Sequence, residues 1–113
     1  MGNPMSTAVL IVANKNLRGF QNALFSWYSV KGVEDVKLVV SIEPSELQQH
    51  MREEFEEFIH HRELTSYQLI LQAEPQDIEF RTAELIRDLF ATGFDTVWEA
   101  GEDEVVSENV LEG

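Results

Sequence analysis

Four short stretches of this chain read as strands, and between them lie three stretches whose apolar residues return with the period of a helix. Ala8 to Val12 is continuously apolar, Val36 to Val40 is interrupted only by Lys37, Gln68 to Leu71 is shorter, and Asp95 to Trp98 is the weakest. Strands that are apolar on both faces suit a parallel sheet with helices on each side. In the first helical stretch Asn16 stands as a cap, Phe20, Ala23, Leu24 and Trp27 form one buried face, and Gly32 offers a stop. The second stretch is expected to start at Pro44-Ser45 and to run to about Arg62, with Leu47, Met51, Phe55, Phe58 and Ile59 as its apolar stripe. The third is expected from about Phe80 to Thr92, with Leu85, Ile86, Leu89 and Phe90 facing inward and Gly93 ending it. The order β-α-β-α-β-α-β predicts an α/β fold: a three-layer, Rossmann-like parallel sheet of about four strands with right-handed crossovers. The strand order is expected to be 3-2-1-4, which puts the turn after the first strand beside the carboxylates after the fourth, where the order reverses.

Length and composition narrow this further. At 113 residues the chain is expected to be one α/β domain over 8–113, preceded by a flexible N-terminus over 1–7. It has no cysteine, which excludes disulfides and thiolate metal sites and points to a reducing, cytoplasmic setting. Eight Lys and Arg stand against 21 Asp and Glu, a formal net charge of -13. Such a surface repels phosphate backbones and anionic lipid, so neither nucleic acid nor membrane is an expected partner. No apolar run approaches the roughly 20 residues that span a bilayer. Gly2 and Ser6 fit a myristoylation pattern, but no basic cluster supplies the second anchor that stable attachment requires.

In open parallel sheets, ligands bind beyond the carboxyl ends of the strands, where the strand order reverses. Residues 13–18 after the first strand bring amides and two cations to a helix start, a place that favours anions. Ser41, Ile42 and Glu43 follow the second strand. Residues 99–104 after the fourth concentrate carboxylates, the hard oxygen donors that Mg²⁺ and Mn²⁺ take. A carboxylate run is also the ordinary composition of a solvated loop. His50, Glu54, Glu57 and His61 share a stripe of the second helix, a spacing able to hold Zn²⁺, although a solvated face of His–Glu pairs is the simpler reading. Neither a glycine-rich dinucleotide fingerprint nor a phosphate loop is present, and the acidic pair that a phosphoacceptor domain needs after its first strand is missing. Trp27 and Phe20 read as core rather than as ligand-stacking rings.

Residues 8–46 (AVLIVANKNLRGFQNALFSWYSVKGVEDVKLVVSIEPSE) and 81–112 (RTAELIRDLFATGFDTVWEAGEDEVVSENVLE) together resemble the N-terminal, nucleotide-sugar-binding half of GT-A-fold glycosyltransferases. Residues 8–46 are similar to their opening strand, asparagine-containing turn, helix and following strand. Residues 81–112 are similar to the helix before their acidic metal motif, the motif strand and the helix start that follows. The resemblance implies that Ala13, Asn14, Asn16 and Arg18 hold the nucleobase and ribose, and that Ser41 and Glu43 add contacts to the nucleoside. It implies that Asp103, with Glu102 beside it, binds Mn²⁺ or Mg²⁺ and through it the diphosphate. The chain departs from the pattern at Gly101, where the motif has its first acidic residue, and at Glu102, where Asp is usual. The family's acceptor half has no counterpart here, so no catalytic residue is assigned. A partner chain supplying that half, or a homo-oligomer, is the corresponding expectation. The alternative is a non-catalytic acidic α/β interaction module that docks a basic partner or assembles with itself.

Overall fold

The computed structural model describes residues 7–13, 16–33, 36–74, 77–100 and 106. The strands are β1 (Thr7–Ala13), β2 (Lys37–Ile42), β3 (Tyr67–Leu71) and β4 (Thr96–Ala100), and the helices are α1 (Leu17–Trp27), α2 (Gln48–Arg62) and α3 (Ile78–Ala91). All strands run parallel in the order β3-β2-β1-β4. This is the small Rossmann-like α/β arrangement that the alternation of apolar periods implies.

The pleat of β1 sends successive side chains to opposite layers. Val9, Ile11 and Ala13 join Phe20, Leu24 and Trp27 of α1 and Met51, Phe55, Phe58 and Ile59 of α2 in the larger core. Ala8, Leu10 and Val12 join Leu85 and Leu89 of α3 in a smaller one. Both faces of β1 are therefore covered, which is why its sequence carries no polar alternation. Trp27 and Phe20 are fully buried, and Trp27 meets Trp98 of β4 edge-to-face at 5.7 Å between centroids. Such a pair adds about 0.5–1.5 kcal/mol beyond its buried area.

The helix boundaries follow local hydrogen bonding. Asn16 Oδ1 accepts from the Gly19 amide at 2.9 Å and starts α1. α3 begins at Ile78, two residues before the expected Phe80, because Asp77 Oδ1 accepts from the amides of Glu79 and Phe80. α2 begins at Gln48 rather than at Pro44-Ser45. Ser45 is used in a turn instead: its Oγ accepts from the Leu47 amide and its carbonyl from the Gln48 amide. Phe90 is half exposed, contrary to the expected stripe. The inward face of α3 is set by Thr82, Leu85, Ile86 and Leu89, an i, i+3, i+4, i+7 series that leaves Phe90 off the seam. Gly93, at a φ of 111°, follows the helix in a conformation that side-chain-bearing residues rarely adopt.

Candidate functional site

Because β1 and β4 are adjacent and parallel, their carboxyl ends share one rim of the sheet. Ile11 lies opposite Ala100, and β1 ends two residues later at Ala13. The chain visits β1, β2 and β3 in one direction and then crosses back past β1 to place β4. The order therefore reverses between β1 and β4, the position at which open sheets form a crevice.

On the β1 side of this rim, Ala13 is buried and its carbonyl accepts from the Glu43 amide at 2.9 Å, extending the ladder by one bond. Asn16 and Arg18 are exposed at the start of α1, with the Asn16 side chain committed to its capping bond. The first turn of α1 has no acidic residue of its own beside its amide dipoles. Glu43 is half buried at the end of β2. Asn14 before the turn, and Glu102 and Asp103 after β4, lie outside the described residues.

Ser41 sits differently from its neighbours. It is fully buried on the α3 side of the sheet, and its hydroxyl accepts from Gln72 Nε2 at 2.8 Å. Gln72 is itself buried, and its Oε1 has no partner among the described residues. On the opposite face, Gln48 at the head of α2 donates from Nε2 to the carbonyls of Ile42 at 3.1 Å and Gln72 at 3.0 Å. One carboxamide thus ties the Gln72 carbonyl just past β3 to the Ile42 carbonyl at the end of β2, which also accepts from the Gln72 amide. Sequence reasoning missed Gln48 and Gln72. The available signal was a glutamine directly after an apolar strand and another at a helix head, both at the rim. The geometry brings Ala13, Ser41, Glu43, Gln48 and Gln72 to one rim, with Asn16 and Arg18 on the adjoining turn of α1.

The His50, Glu54, Glu57 and His61 stripe is a solvated face. His61 Nε2 lies 3.6 Å from Glu57 Oε1, both exposed, and Glu54 accepts from Gln21 Nε2 at 3.1 Å across to α1. No group of three or more metal-ligating side chains occurs among the described residues. Tyr28 packs edge-to-face on Phe58 at 4.9 Å. Its phenol is held above the ordinary tyrosine range by burial first, then by the carboxylates of Glu57 and Glu54.

Two grooves of the described surface lie away from the rim. One, of about 520 Å³, runs between α1 and α2 past Phe25, Tyr28 and Glu54. The larger, of about 990 Å³, lies along the outer flank of β3 under α2. Among the described residues, no helix is long and apolar enough to cross a membrane. No known protein family matches the chain, and no curated protein matches it in sequence.

Proposed function

We propose that this domain binds a nucleoside diphosphate sugar together with Mn²⁺ or Mg²⁺ at the rim between β1 and β4, as the donor-binding part of a glycosyltransferase. The observation that carries this reading is the reversal of strand order between β1 and β4. It puts the end of the strand that leads to Asn14 beside the end of the strand that leads to Glu102 and Asp103. Asn14, Asn16 and Arg18 would hold the nucleoside from the α1 side, with Glu43 at the end of the neighbouring strand. Ser41 would act from beneath, by fixing Gln72 and the ends of β2 and β3 rather than by touching the ligand. Glu102 and Asp103 offer the hard carboxylate oxygens that fit such a cation. The bound cation would offset the charge of the diphosphate on a chain that is itself strongly anionic.

The test is calorimetric titration of the folded domain with UDP-sugars and GDP-sugars, with and without Mn²⁺. Binding that depends on Mn²⁺ and disappears in Asp103→Asn is the expected result. A well-folded sample that takes up none of these ligands under either condition overturns the proposal.

A further inference from the structure

We infer that the outer edge of β3 is a docking site for an extended, basic segment of a partner protein, which adds to the sheet as a fifth strand. This site is separate from the β1–β4 rim, and neither proposal depends on the other.

The backbone supplies the first part of the case. β3 ends the sheet, with β2 its neighbour on one side and no strand on the other among the described residues. The Ser66 carbonyl accepts from the Leu38 amide, and the Gln72 amide donates to the Ile42 carbonyl, so both ends of the strand bond toward β2. Hydrogen-bonding direction alternates along a strand in a parallel sheet. Gln68 and Ile70 therefore also turn their backbone groups to β2, while Tyr67, Leu69 and Leu71 turn theirs outward. Three successive outward-facing residues are a template for another strand. Proteins that protect such an edge place lysine, proline or a bulge on it, and 65–73 (TSYQLILQA) contains no charged residue and no proline.

The side chains supply the other part. Tyr67, Leu69 and Leu71 lie in register with Leu38, Val40 and Ile42, on the α2 side of the sheet. Here the groove of about 990 Å³ opens, with Phe55, Ile59, Leu64 and Leu69 as apolar lining. Tyr67 is 46% and Leu71 42% exposed, and Tyr67 meets the Phe55 ring at 6.1 Å. An incoming strand would drop alternate apolar side chains onto this lining while its backbone pairs with the edge.

Charge selects the occupant. Glu56 and Glu63 stand on the groove wall, and the whole chain carries -13. A segment bearing lysine or arginine is drawn to this edge, whereas a second copy would bring its own -13 against it.

The probe is a short synthetic peptide of alternating valine and lysine, titrated into the isotope-labelled protein. Hydrogen exchange of the Tyr67, Leu69 and Leu71 amides should slow by about tenfold or more at saturation. The same peptide with glutamate for lysine should bind at least about tenfold more weakly. A peptide N-methylated at the edge-facing positions should lose the protection, and so should Leu69→Pro, which removes an outward amide and leaves the β2 ladder its donors. The N-methylated peptide keeps the test decisive if Leu69→Pro fails to fold. Binding without protection of these amides, or equal binding by the N-methylated peptide, would reduce the effect to non-specific charge attraction and overturn the proposal. Protection that grows with protein concentration alone would assign the edge to a second copy and overturn it equally.

Discussion

Ser41→Ala isolates the polar pair buried at the rim. In the native chain the Ser41 hydroxyl is the acceptor for Gln72 Nε2 at 2.8 Å, and both residues are buried. Gln72 Oε1 already lacks a partner among the described residues. Removing the hydroxyl therefore leaves the donor end of a buried carboxamide unpaired as well. An unsatisfied buried polar group costs about 1–3 kcal/mol, more than the net worth of the bond itself. Urea unfolding of a small domain has a slope of about 1–3 kcal/mol per molar, so a loss near 2 kcal/mol moves the midpoint down by about 1 M. Adding Gln72→Leu to Ser41→Ala replaces both partners by apolar groups and should recover most of that loss, giving a coupling of about 1–2 kcal/mol in the double-mutant cycle. Gln48 bonds to the Gln72 carbonyl and not to its side chain, so the cycle leaves that tie in place. If Ser41→Ala unfolds within about 0.5 kcal/mol of the wild type, or if the two substitutions simply add, the buried pair does not hold the rim as described.

Two further outcomes follow from single residues. Glu57→Gln should lower the Tyr28 phenol pKa toward its ordinary value, read by absorbance titration, because the Glu57 carboxylate is one of the groups raising it; an unchanged value would contradict this. The neutral phenol is favoured in the folded chain, so its contribution to stability is complete below the ordinary tyrosine value of about 10 and is lost as pH rises through the raised folded value. Glu63 closes α2 at a φ of 53°, a left-handed conformation that disfavours an L side chain by about 1–2 kcal/mol. After the flexibility glycine adds to the unfolded chain, Glu63→Gly should gain up to about 1 kcal/mol and raise the melting temperature by about 4 °C, with a lowered melting temperature as the refuting result.

Much of the architecture was legible because burial on two faces leaves a plain mark. The uninterrupted apolar run of β1 and the Phe20, Ala23, Leu24, Trp27 series gave the central strand and its helix directly. Connection rules fix the hand of the crossovers and not the strand order, which was expected as 3-2-1-4 from the placement of the first turn beside the carboxylates after the fourth strand. What the sequence hid was local competition for hydrogen bonds. Ser45 binds the Leu47 amide and delays α2, and Asp77 captures two amides and advances α3. Periodicity does not register such side-chain bonds. Serine after a buried strand reads equally well as a ligand contact or as a structural tie, and only its distance to Gln72, remote in sequence, reveals the tie. The carboxylates after β4 were legible as hard oxygen donors from residue type alone, which carries no information on their spatial arrangement.

The two cores are unequal, and that inequality has a kinetic meaning. The layer beneath α1 and α2 knits all four strands to two helices, whereas α3 rests on a smaller apolar patch, mainly over β1 and β4. Sub-global opening should therefore begin with α3 peeling from its patch while the other layer stays shut. Since α3 delivers the chain to β4, that excursion loosens the strand on the far side of the crevice first. Any molecule gripping both sides of the seam would act as a clasp, suppressing the excursion in proportion to its affinity.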